Sequence, residues 1–133
     1  MLFSNPTPFR QIIGTLQYLT FTRLDICYAV NKVCQFMHAP IESHWAAIKC
    51  ILRYLKGTSS YDLHLTRGSS LSLHGLTDAD WTRSVDDRKS TGGYIVFLGI
   101  TPVSWKSGKQ RTVAPSSTKA EYKALADGTA KVF

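Results

Sequence analysis

Two acidic residues in the second half of the sequence have the type and placement expected of metal ligands. Asp78 ends an apolar stretch, in Thr77-Asp78-Ala79-Asp80-Trp81, and Glu121 is the only acidic residue on the apolar face of a predicted C-terminal helix. If that face packs on a sheet that contains Asp78, the two carboxylates face a common point. Clustered carboxylates repel unless a cation lies between them, and Mg²⁺ prefers oxygen ligands. Such ions in pairs cleave phosphodiesters, one activating water and the other stabilising the leaving oxygen.

Each of these acids also has a structural interpretation. Thr118-Lys119-Ala120-Glu121 matches a capping box, in which Glu121 would fold back to the start of the helix. Asp78 and Asp80 could simply be polar residues that close a strand into a turn. The residues by themselves leave both interpretations open.

The charge balance favours an anionic partner. The chain has 133 residues and a formal charge of +7, from 16 Lys and Arg against 9 Asp and Glu. Basic residues on one surface attract phosphate, and Trp81 and Trp105 could stack on bases or pack in a core. The alternative is a set of ordinary solvated side chains. The candidate phosphate contacts in the loops of the second half are Arg83, Arg88, Lys89, Lys106, Lys109 and Arg111.

The second half predicts three strands followed by a helix. Alternating leucines lead into Asp78, with a bulge expected at Gly75, and residues 93–98 form a dense strand signal. A turn over 99–102 should then start a third strand at Val103. Short connections predict an antiparallel meander, and Pro115 with the following Ser and Thr residues marks a helix start.

The first half predicts three amphipathic helices that pack together. Apolar stripes repeat at helical spacing from Phe9, from Ile26 and from Trp45, with Asp25 placed to cap the second helix and Gly57 to end the third. Residues 1–60 and 61–133 are therefore predicted as separate domains. Cys27, Cys34 and Cys50 fit no common zinc spacing and are predicted to be buried thiols. No stretch approaches the roughly 20 apolar residues of a membrane span, and no secretory signal is evident, so a cytoplasmic or nuclear location is expected.

Several motifs in unbroken order resemble a known family. Two motifs of the first half are similar to the C-terminal end of a copia-type reverse transcriptase. They are Thr22-Arg23-Leu24-Asp25-Ile26 and Leu52-Arg53-Tyr54-Leu55-Lys56-Gly57-Thr58. The second half resembles the ribonuclease H region of copia-type retrotransposon Pol polyproteins, through residues 77–81, 87–94, 104–110 and 116–122.

The resemblance implies an α+β fold, in which a small helical, thumb-like segment precedes a truncated RNase H-like β-β-β-α unit. It also implies that Asp78 and Glu121 are catalytic ligands of Mg²⁺ or Mn²⁺, with Asp80 in a supporting or structural role, and that the partner is an RNA–DNA hybrid. The family's polymerase aspartates and remaining nuclease ligands fall outside this sequence. We therefore expect little or no hydrolysis of RNA by this chain alone. The alternatives are a non-catalytic nucleic-acid-binding module and a non-functional relic that folds poorly.

Overall fold

Helices occupy the first half of the chain, and a three-stranded sheet with one covering helix occupies the second. The structure is a computed structural model that describes residues 5–67, 70–81 and 87–132. The first-half helices are α1 (Thr7–Leu19), a 3₁₀ turn (Leu24–Ile26), α2 (Cys27–Cys34) and α3 (Glu42–Gly57). The second-half elements are β1 (Leu73–Asp80), β2 (Thr91–Leu98), β3 (Thr101–Lys109) and α4 (Ser117–Val132). The predicted α+β class is confirmed.

The chain divides into two compact units, Met1–Leu63 and His64–Phe133. Residues 61–65 have no regular secondary structure. None of the helices in the described ranges is long and apolar enough to cross a membrane.

The helical unit is held together by the apolar stripes that the sequence predicted. Phe9, Ile13 and Ile48 are fully buried, and each contributes about 1.5–3 kcal/mol through the area removed from water. Ile51 is the next buried residue of α3 after Ile48, whereas the neighbouring Leu52 is 41% exposed. The buried cluster consists of Phe9, Ile13, Leu16, Ile26, Val30, Val33, Ile48 and Ile51.

Asp25 does not cap α2, so that prediction is wrong. Its carboxylate instead accepts two hydrogen bonds from Arg23, at 3.0 Å and 2.7 Å, and a third from the Tyr54 hydroxyl at 2.8 Å. Arg23 also donates to the carbonyl and the hydroxyl of Thr58, at 3.1 Å and 2.8 Å. The guanidinium competes successfully for the carboxylate because a charged, two-point hydrogen bond is stronger than a bond to a helix amide. The result ties the end of α1 to the end of α3.

The sheet is the predicted antiparallel meander, in the order β1-β2-β3. The bulge expected at Gly75 is absent, because β1 pairs with β2 in continuous register from Leu73 to Asp80. The irregularity lies instead between Val96 and Phe97 in the pairing with β3. The β2–β3 turn is two residues long, and Gly99 adopts a left-handed φ of 60° that favours glycine there.

Helix α4 packs on β1 and β2 through its smallest residues. Ala120, Ala124 and Gly128 are buried, at the four-residue spacing that follows one helical face. At Gly128 the helix approaches so closely that a Cβ would lie 2.7 Å from Thr77 Cγ2. Thr77 therefore faces α4, and strand alternation directs the neighbouring even-numbered residues of β1 to the opposite face of the sheet.

The three cysteines are all free thiols, and two of them are half-buried. Burial raises the pKa of the Cys34 thiol, which keeps it protonated. Cys50 is exposed, so the prediction that all three are buried is wrong for that residue. Its position on α3 lies beside Ile51 but on the solvent side of the helix.

Candidate functional site

Asp78 lies near the end of β1 with an exposed side chain. Its Oδ1 accepts a hydrogen bond from the backbone N–H of Ala79 at 2.8 Å. Because Thr77 faces α4, Asp78 and Asp80 project from the opposite face of the strand. Asp80 is half-buried there, two residues further along.

Glu121 lies on the exposed flank of α4. The helix begins at Ser117, and the Ser116 hydroxyl accepts the backbone N–H of Lys119 at 3.3 Å, so Ser116 is the capping residue. The capping box proposed for Thr118 and Glu121 is therefore wrong. The expectation that Glu121 points at the sheet is also wrong. The buried residues of α4 are Ala120, Ala124 and Gly128, whereas Leu125, which shares the helical face of Glu121, is 51% exposed.

The described residues do not supply a complete metal site. No group of three or more His, Cys, Asp or Glu side chains within residues 5–67, 70–81 and 87–132 is placed to hold an ion. Asp78 projects from the face of β1 opposite Thr77, which packs against α4, the helix that carries Glu121. Their roles as metal ligands stay a prediction.

A groove of about 580 Å³ runs between α4 and the β2–β3 part of the sheet. Its sheet side contains Gly92, Gly93 and Gly108. Asp127 is the only acidic side chain among the described residues that line the groove. The basic side chains that line the groove are Lys106, Lys109, Arg111, Lys123 and Lys131. Such a row of cations in a concave surface concentrates a field that attracts phosphate.

Three of the predicted basic residues line this groove, two lie elsewhere, and Arg83 lies outside the described residues. Lys106 and Arg111 are exposed, whereas the Lys109 ammonium is 2.7 Å from the Asp87 carboxylate. Arg88 is exposed at a left-handed φ of 52°, on the approach to β2. Lys89 is half-buried, and its backbone N–H donates to Asp87 Oδ1 at 3.2 Å. Neither Arg88 nor Lys89 is among the described residues that line the groove.

Comparison with known proteins matches nearly the whole chain to parts of much longer proteins. The chain is 51% identical over 128 residues to the retrovirus-related Pol polyprotein from transposon RE2 of Arabidopsis thaliana. It is 53% identical over 129 residues to that from transposon RE1 of the same plant. These matches cover 96% and 97% of this chain, but only 9% of either polyprotein.

The chain is homologous to a segment of retrovirus-related Pol polyproteins from transposons. It spans about 9% of the length of the Pol polyproteins that it matches, so it corresponds to a segment of them. It is also 46% identical over 123 residues to the secreted RxLR effector protein 161 of Plasmopara viticola, a match that covers 87% of that protein. No protein-family profile matches this Pol segment. No solved structure matches it either.

Two lysines of α4 in this Pol segment, Lys123 and Lys131, also line the groove. Each lies four residues from Asp127 on one helical face, a spacing that by itself predicts helical ion pairs. Lys123 instead donates to the Thr112 hydroxyl at 2.6 Å and to the Val113 carbonyl at 3.4 Å. The sequence contains a basic face on this helix, which could have indicated that these lysines bind an anion. Only the packing of α4 shows that this face borders the sheet.

Gln110 is a buried polar residue at the base of the groove. It is 7% exposed, its Nε2 donates to the Ala120 carbonyl at 2.8 Å, and its Oε1 has no donor within the part of the chain that the structure describes. The amide therefore fixes the start of α4 relative to the end of β3. Trp81 is similarly tethered, because its Nε1 donates to the Ala114 carbonyl at 3.0 Å. Its ring stays 44% exposed.

Proposed function

We propose that this Pol segment belongs to the reverse transcriptase–ribonuclease H region of a copia-type element and binds nucleic acid, without hydrolysing RNA by itself. In this proposal residues 1–60 are a thumb-like helical end of the polymerase, and residues 61–133 are part of an RNase H-like domain. The ancestral activity is divalent-metal-dependent hydrolysis of RNA in RNA–DNA hybrids. The relation to transposon Pol polyproteins and the order of the motifs support this assignment.

The basic groove is the observation that carries the binding part of the proposal. Its cations come from two different elements, β3 with the segment that follows it and α4, so their convergence follows from the fold rather than from a run of charge. Each cation placed on a phosphate releases counterions, which makes the binding depend steeply on salt. The groove therefore suits a phosphodiester backbone better than a small uncharged ligand.

The arrangement of carboxylates supports the non-hydrolytic part. Family resemblance assigns metal-binding roles to Asp78 and Glu121, but both are exposed, and no group of three or more His, Cys, Asp or Glu among the described residues is placed to hold an ion. Two-ion hydrolysis requires oxygens that converge on both ions. The further ligands would have to come from polypeptide outside this sequence.

Binding is tested by fluorescence anisotropy with a labelled RNA–DNA hybrid at several salt concentrations. Lys106→Glu combined with Arg111→Glu should weaken binding about ten-fold or more and reduce the slope of log affinity against log salt by about one per lost phosphate contact. The matched control is Arg67→Glu with Lys119→Glu, which changes the net charge equally at exposed positions that do not line the groove. Equal losses in both double variants would show that net charge alone attracts the hybrid.

Hydrolysis is tested with the same labelled hybrid in the presence of Mg²⁺ or Mn²⁺. We expect no cleavage by the purified chain beyond that seen with Asp78→Asn. Cleavage that disappears in Asp78→Asn and in Glu121→Gln would contradict the non-hydrolytic part of the proposal and support a complete nuclease.

The alternative of a non-functional relic predicts a different physical behaviour. A chain that folds poorly would show no cooperative thermal transition and would not bind hybrid with a dependence on groove residues. A cooperative melt followed by circular dichroism, together with the groove-specific loss of affinity, would exclude it.

A further inference from the structure

The short span that connects Gln110 to Ala114, residues 111–113, is held at both of its ends. It forms no helix or strand, and its side chains are exposed. Before it, the buried Gln110 side chain donates to the Ala120 carbonyl at 2.8 Å. After it, the carbonyl of the buried Ala114 accepts a hydrogen bond from the Trp81 indole N–H at 3.0 Å. The span is therefore an irregular, exposed stretch between two fixed points.

A lysine of α4 holds the middle of this connecting span. The Lys123 ammonium donates to the Thr112 hydroxyl at 2.6 Å and to the Val113 carbonyl at 3.4 Å. The first of these is the stronger hydrogen bond, because the second is near the limit of hydrogen-bond length. Both acceptors are neutral, so the charge of Lys123 still contributes to the field in the groove. Its position, however, is set by the connecting span.

Arg111, the first residue of the connecting span, lines the groove with an exposed side chain. We infer that Lys123 is a positioning residue, which fixes the connecting span so that Arg111 is held at the groove and binds a phosphate of the nucleic acid. Lys123 does not contact the nucleic acid itself. This inference rests on the proposed function, since it assigns different roles to two cations of the same groove.

The backbone explains why Arg111 needs such support. Lys106 also lines the groove, but it lies within β3 and pairs with Tyr94 of β2, so the sheet fixes its backbone. Arg111 lies beyond the end of β3 and has no strand partner among the described residues. A span that is fixed in the folded chain does not have to be ordered when the ligand binds, and the entropic cost of binding is smaller.

The alternative role for Lys123 is a direct phosphate contact, and a change at Thr112 separates the two roles. Thr112→Val removes the hydroxyl that Lys123 binds and leaves the net charge unchanged. If Lys123 positions Arg111, this change weakens binding. If Lys123 binds phosphate directly, the change frees its ammonium, and the affinity stays the same or rises.

Fluorescence anisotropy with the labelled RNA–DNA hybrid measures this difference. We expect Thr112→Val to raise the Kd about five-fold and to reduce the salt slope by about one, because the phosphate contact of Arg111 is lost. Thr112→Ser keeps the acceptor and should bind within about two-fold of the wild type. Thr129→Val is the matched control, at an exposed threonine of α4 that does not line the groove, and it should leave the Kd unchanged.

A double-variant cycle tests whether Thr112 acts through Arg111. In an Arg111→Ala background, Thr112→Val should cause no further loss, because the side chain that the connecting span positions is gone. A general loss of structure would instead weaken binding in both backgrounds and lower the melting temperature followed by circular dichroism.

NMR relaxation of the full chain tests the positioning without nucleic acid. Backbone amides 111–113 should have order parameters near ~0.85 in the wild type, and these should fall towards ~0.6 in Thr112→Val and in Lys123→Met. Unchanged order parameters, or wild-type affinity of Thr112→Val, would overturn the inference and leave the proposed function intact. A wild-type chain without affinity for the hybrid would overturn the proposed function and the inference together.

Discussion

Arg23 binds Asp25 through two parallel hydrogen bonds, Nε to Oδ1 at 3.0 Å and a terminal nitrogen to Oδ2 at 2.7 Å. The Arg23 side chain is only 9% exposed, and its remaining donors reach Thr58 at the end of α3. Its guanidinium also lies 5.9 Å from the ring centroids of Tyr54 and Tyr61. One side chain thus joins two chain segments more than thirty residues apart.

Replacement of Arg23 by Lys should destabilise the helical unit although the charge is kept. Lysine cannot donate two parallel hydrogen bonds to a carboxylate and also reach both Thr58 oxygens. We expect the melting temperature to fall by roughly 5 °C or more. Differential scanning calorimetry measures it, and Arg53→Lys on the exposed face of α3 is the matched control. Equal melting temperatures for the two variants would mean that the hydrogen bonds of Arg23 add nothing beyond its charge.

Acid should weaken the same contact. The hydrogen bonds from Arg23 lower the pKa of the Asp25 carboxyl below its usual value, with a further contribution from the Tyr54 hydroxyl. The folded state therefore resists protonation more than the unfolded chain, in which the carboxyl titrates near pH 4. The stabilisation is complete above that pH and is lost as the pH falls from there through the folded pKa.

Urea unfolding of wild type and Asp25→Asn between neutral pH and about pH 3 isolates this effect. Wild type should be the more stable at neutral pH, and the two free energies of unfolding should converge in acid. Curves that stay parallel over the whole range would show that Asp25 is not the group whose protonation matters.

The elements of this fold were predictable because they depend on local spacing. Apolar residues such as Phe9, Ile13 and Leu16 repeat at the helical period, and the alternation and turn chemistry after Leu71 specify a meander. These patterns predicted every helix and strand that the described residues contain, except the short 3₁₀ turn at Leu24.

The position of side chains across contacts could not be predicted in the same way. Counting apolar residues placed Glu121 and Leu125 on the sheet, but helix–sheet distance depends on the size of the residues in contact and favours Ala120, Ala124 and Gly128. Asp25 binds Arg23, two residues before it, instead of capping α2. Arg23 is held in place for this contact by Thr58, which only the tertiary fold brings near. The groove was partly predicted, through Lys106, Lys109 and Arg111, while its α4 side was not.

Removal of the Asp87 carboxylate should strengthen the proposed binding of nucleic acid. Asp87 lies 2.7 Å from the Lys109 ammonium, so it neutralises one of the cations that line the groove. Asp87→Asn should raise hybrid affinity several-fold and steepen the salt dependence by about one released counterion. Asp62→Asn, at an exposed acid of the other unit, changes the net charge equally and serves as the control. A gain of the same size in both variants would locate the effect in overall charge rather than at Lys109.

Gly128 sets how closely α4 approaches the sheet, and its replacement by Ala tests that packing. In an open helical position the change would stabilise by about 0.5–1 kcal/mol through helix propensity, and Gly14→Ala in α1, where a Cβ meets nothing within 4 Å, should do so. At Gly128 the new methyl would lie 2.7 Å from Thr77 Cγ2 and 3.4 Å from Tyr94 Cβ. Overpacking of this kind costs about 1–3 kcal/mol, so the net effect should be destabilising.

A second change in β1 separates this clash from any other effect of the substitution. Thr77→Ser removes the methyl that the new Cβ would meet, so the double variant should recover stability relative to Gly128→Ala. Chemical denaturation of the four chains in this cycle should give a coupling energy of about 1 kcal/mol. If the two changes are additive, the approach of α4 to Thr77 does not limit the packing, and the helix must rest on other contacts with β2.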